Sequence, residues 1–203
     1  FTAGGNLDPT AYGGSVSITG GAGKNTDLGN GGSVWLAGGR AEGTGKGGDI
    51  RLQGGESEDG EGGLVWFTGG FSTESTGGDL NLETGTGAAT SSGDIDIHTA
   101  NAGVEGVSGG ISMFTGTSSS GASGGISIYT GEAKNGAGGR IHLVAGVGDM
   151  GDGGNVDITA GATTAFASTG GHVTLTGGEG SNQDSGNGGN GGDIRLLGGE
   201  SLG

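Results

Sequence analysis

Residues 48–55 read Gly48-Asp49-Ile50-Arg51-Leu52-Gln53-Gly54-Gly55, and the period of this stretch decides how the rest of the chain is read. Ile50 and Leu52 stand two positions apart, as do Asp49, Arg51 and Gln53. An extended backbone would turn the aliphatic pair to one side and the polar set to the other. The phrase recurs as Gly, any residue, a branched aliphatic, any residue, a large apolar, any residue, then Gly, Ala or Thr. Copies open at Gly14, Gly32, Gly48, Gly63, Gly78, Gly93, Gly109, Gly124, Gly139, Gly154, Gly171 and Gly192. Successive openings are separated by 18, 16, 15, 15, 15, 16, 15, 15, 15, 17 and 21 residues, so a 15-residue unit is the rule. Self-similarity at a fixed period marks a repeat architecture.

Within each copy the first apolar column is rich in β-branched residues (Val16, Ile50, Ile95, Ile126, Val173), as a half-buried pleated surface prefers. A helix is excluded, because period 3.6 is absent and each interior Gly would cost about 1 kcal/mol. Linkers of this length hold no crossover helix. The expected fold is therefore all-β, a parallel β-solenoid (β-helix) of about twelve coils of ~15 residues with Gly-rich corners. Stacked at ~4.8 Å, such coils make a rod on the order of 55–60 Å long. The glycines at the corners are expected to supply positive φ or close backbone approach. Linker residues such as Leu28, Val104 and Met150 are expected to form a second, thinner wall.

Composition points another way. The chain has 203 residues with 59 Gly, one Pro, no Cys and a net charge of -15. Leu, Ile, Val and Phe number only 36, which falls on the disordered side of the compositional line. The ordering of those apolar residues is what argues for a fold. Without Cys there is neither a disulfide framework nor a thiolate metal site. No apolar run is long enough to insert in a membrane, and no leader opens the sequence. Seven Lys+Arg against 22 Asp+Glu exclude nucleic acid as an expected partner, since phosphate binding needs clustered cations. The acidic surface suits solubility and divalent cations.

The whole of 1–203 reads as a single repeat array. Phe1-Thr2-Ala3-Gly4-Gly5 resembles the tail of a repeat, and Gly198-Gly199-Glu200-Ser201 repeats Gly54-Gly55-Glu56-Ser57. Both ends therefore read as a segment of a longer array, or as a subunit stacking in a filament.

Two sets of outward residues are candidates for function. Asp94, Asp96 and His98 share one face of their phrase, with Asp79 and Glu83 on the copy before; stacked acids repel unless something neutral or cationic intervenes, so the set reads either as a solvated acidic patch or as a cation site, for which Ca²⁺ is the candidate. Trp35 and Trp66 occupy one outward column, while Phe114 and Tyr129 adjoin in the next; exposed aromatics on a flat face suit a lateral contact between copies or a glycan. No other cofactor is implied. Regular Thr-x-Thr ladders for ice are limited to Thr174 and Thr176. His98, His142 and His172 stand on separate copies, with no triad and no phosphate loop, so no catalysis is expected.

The phrase GGxVxLxxG with Ser/Gly/Thr-rich spacers resembles Gly-rich ~15-residue-repeat β-solenoid arrays in large cell-surface and secreted fibre and adhesin proteins of microalgae and bacteria. That resemblance implies an extracellular or cell-surface fibre, stalk or adhesive scaffold, built by end-to-end or lateral self-association. The alternative on the same fold is a binding module for Ca²⁺, glycan or ice on the outward strand face.

Overall fold

A computed structural model describes residues 13–24, 29–182 and 188–201, which include all twelve phrases. The chain divides into two units, Phe1–His98 and Thr99–Gly203, each considered by itself. Among the described residues there is no helix and no strand. The expected parallel β-solenoid is therefore not formed, and the chain is not plainly all-β.

The reason is visible at the linkers. In a solenoid of one coil per repeat, Gly32 would lie beside Gly14, one strand spacing (~4.8 Å) away. Instead the Gly32 N–H donates to the carbonyl of Gly21, at 2.7 Å, where the preceding phrase ends. The same closure joins Gly48 to Gly39, Gly63 to Gly55 and Gly78 to Gly70, each at 2.8 Å, and Gly93 to Gly85 at 3.1 Å. In the second unit it joins Gly154 to Gly146 at 3.0 Å, with Gly171 to Gly161 and Gly192 to Gly178 at 2.8 Å. Each linker so closed is a loop with adjacent ends, like an Ω-loop. The next phrase thus begins where the last one stops, not alongside where it began, and among the described residues no backbone ladder joins the two.

No described residue is buried, apolar or polar. Val104 and Met150 are fully exposed, so the second wall is absent there. Leu28 and the stretch Phe1–Gly5 lie outside the described residues.

What survives of the expected pattern is its period. Along the phrases, the first apolar column is exposed by 47–59% and the second by 59–84%, while the intervening Trp35 and Trp66 reach 86% and 76%, so the alternation is clear at the first column and fades at the second. Alternation of this kind is what an extended backbone produces. The linkers keep phase with the phrases too. Bends at 58–60, 73–75, 88–90, 119–121, 134–136 and 149–151 each begin ten residues after an opening glycine.

Candidate functional site

The most shielded point of the repeat is the joint between phrases. Eleven described residues are half-buried, and seven of them (Gly54, Gly69, Thr84, Thr99, Ala145, Ala160 and Gly177) occupy the seventh position of a phrase. That position faces the opening glycine of the next copy. It takes two forms.

In the first form the seventh residue is glycine. A Cβ added to Gly20, Gly38, Gly54, Gly69 or Gly177 would collide with the carbonyl oxygen of Gly32, Gly48, Gly63, Gly78 or Gly192 respectively. Close approach of two backbones is what requires glycine here. Positive φ is not involved: among the described glycines it occurs only at Gly43 and Gly121, both inside linkers. The corner glycines thus serve approach alone, which corrects half of the expectation.

In the second form the seventh residue carries a Cβ and the joint is wider. A Cβ on Gly93 would stand 3.5 Å from Cβ of Thr84, and one on Gly109 would stand 3.4 Å from Cγ2 of Thr99. At two of these joints the side chain supplies the link itself. Thr115 Oγ1 donates to the Gly124 carbonyl at 3.1 Å, and Thr130 Oγ1 to the Gly139 carbonyl at 3.4 Å. Glycine joints predominate in Phe1–His98, and Thr or Ala joints in Thr99–Gly203.

The bends are fixed by hydroxyls at one phase, nine residues after the opening glycine. Ser57 Oγ accepts from the Gly60 N–H at 2.9 Å, and Ser72 Oγ from the Ser75 N–H at 3.0 Å. Ser118 Oγ donates to the Ser120 carbonyl at 2.9 Å, and Thr163 Oγ1 accepts from the Ala165 N–H at 3.2 Å. Short polar side chains that bond to nearby backbone favour such turns over ladders.

Of the residues expected to hold a cation, only Asp96 and His98 are brought together, with Nδ1 of His98 at 3.2 Å from Oδ1 of Asp96. Asp79, Glu83 and Asp94 are not drawn to them: among the described residues no group of three or more His, Asp or Glu side chains converges. The outward columns do pair within a phrase. Arg51 reaches Asp49 at 3.3 Å and Arg195 reaches Asp193 at 3.1 Å, while Lys46 adds a second cation to Asp49 at 3.1 Å. All are solvent-exposed and contribute little to stability. Trp35, Trp66, Phe114 and Tyr129 stand exposed, and Arg51, which separates the two Trp copies, is turned to its own phrase's Asp49 instead.

The joint threonines were not singled out from the sequence, although the signal was there: the seventh position is Gly, Ala or Thr in every copy. Phe71 and Phe166, in linkers, are further fully exposed aromatics. Comparison with protein-family models, curated proteins and solved structures finds no match to this chain.

Proposed function

We propose that this chain is a structural repeat segment, working at the cell surface or outside the cell as part of a fibre, stalk or adhesive scaffold. It has no catalytic role in this reading, and its partners are further copies of itself. The observation that supports the reading is where the repetition lies. The apolar columns, the joint and the bend recur in phase, whereas the outward columns change from copy to copy and carry no repeated ligand code. A chain whose regularity is invested in its backbone joints suits mechanical or spacing work. The resemblance to Gly-rich surface arrays points the same way, but for the repeat phrase and not for a solenoid fold.

The test is antibody labelling of intact cells that express the protein, with fractionation alongside. Labelled surface or secreted material is expected. Antigen confined to the cytosol would overturn the proposal.

A further inference from the structure

The interiors of the phrases have no backbone partner. Among the described residues, every backbone–backbone hydrogen bond lies in a joint or a linker. Each phrase therefore presents free N–H and C=O groups together with two partly exposed apolar columns. Rows of this kind are templates for pairing with another chain. The area available is large. Both apolar columns run through all twelve described phrases, the first 47–59% and the second 59–84% exposed.

The partner that fits such a surface is one offering the same phrases at the same step. Where the glycine N–H closes the joint, linker length does not enter that step. Gly55 to Gly63 spans 8 positions and Gly178 to Gly192 spans 14, yet both close at 2.8 Å. A copy can then engage its neighbour phrase for phrase even where the linkers differ. We propose that a second copy of this chain docks along the phrases, exchanging backbone hydrogen bonds and covering the first apolar column (Ile50, Val65, Leu80 and Ile95 of the unit Phe1–His98 among it). The pairing is between chains and winds no coil within one. It rests on the scaffold reading and names the surface that reading requires. Each copy carries a net charge of -15, so association strengthens as salt shortens the Debye length from ~30 Å at 0.01 M to ~3 Å at 1 M.

Sedimentation velocity of the purified full chain, over a hundredfold range of concentration at low and high salt, tests this. Species larger than the monomer are expected, favoured by salt. The variant I50S/V65S/L80S/I95S is expected to need at least tenfold more protein to associate, and V107S/V147S, at fully exposed linker positions, to stay within twofold of the parent. No described residue is buried, so the serine variant removes no core. A parent chain that stays monomeric throughout would overturn the proposal, as would a serine variant that associates like the parent. A serine variant that associates like the parent overturns the docking surface and leaves the scaffold reading standing; a monomeric parent overturns self-association in both, and the surface labelling tests residence separately.

Discussion

Gly69 and Gly70 are neighbours with opposite tolerances. A Cβ on Gly69 would meet the Gly78 carbonyl, whereas a Cβ on Gly70 meets nothing within 4 Å. Gly69→Ala must therefore push the joint open, toward the wider form seen at Thr84, and weaken the Gly78 N–H bond to Gly70. Amide hydrogen exchange by NMR should show Gly78 exchanging several-fold faster in Gly69→Ala and unchanged in Gly70→Ala. Equal effects from both would refute a steric joint. At the other form of joint the hydroxyl is the link. Thr130→Val keeps the shape but removes the donor to Gly139, while Thr130→Ser keeps the donor. A net hydrogen bond of this kind is worth about 0.5–1.5 kcal/mol, and exposure places it at the low end. Chemical shifts of Gly139 should move in the Val variant and stay near the parent's in the Ser variant.

Linkers such as 55–63 and 70–78 behave as elements in their own right, because they are closed by their joint and bent at a fixed phase. A flexible insertion inside the loop 55–63 lengthens a closed circuit, and doubling a loop costs only about 0.6 kcal/mol. Inserting Gly-Ser-Gly-Ser after Glu58 should therefore leave the exchange rate of the Gly63 amide nearly unchanged. The same insertion after Arg51, inside a phrase, should disturb the alternation there, read as changed exchange through Leu52–Gly55. If the loop insertion abolished protection at Gly63, linker length would matter after all. The phrases and their period-two alternation were legible in the sequence because side chains write them: Ile50 and Leu52 against Arg51, Val65 and Phe67 against Trp66. The joints were not, because an N–H of one glycine bonding to the carbonyl of another uses no side chain. Only the restriction to Gly, Ala or Thr at the seventh position hinted at them. The cation set was read from Asp94, Asp96 and His98 on one phrase, and their alternation did hold Asp96 near His98. Bringing Asp79 and Glu83 alongside needed stacked coils, and those are absent.

At the scale of the molecule, composition and pattern gave opposite forecasts, and among the described residues the core that the pattern predicted is not formed. A two-column stripe places only Val, Ile, Leu, Met and Phe from alternate positions on one face, and the Gly-rich linkers offer nothing to cover it: Val104, Val147 and Met150 stand out in solvent. Burying so thin a stripe returns less than the cost of ordering a backbone in which glycine is the commonest residue and loses the most freedom. Local bonds at the joints and bends can form singly without that cost being met everywhere at once. The consequence is thermal. A compact domain of this length absorbs roughly 140 kcal/mol on melting, in one cooperative step. The dilute chain, kept below the concentration at which copies associate, should show no such peak by differential scanning calorimetry. Its far-ultraviolet circular dichroism should change gradually with temperature, as independent joints open one by one. A sharp endotherm in the monomer would mean a buried core, and would sink the open arrangement. A peak that grows with protein concentration and salt would instead place the cooperative structure in the assembly, where the apolar columns of one copy are covered by those of another.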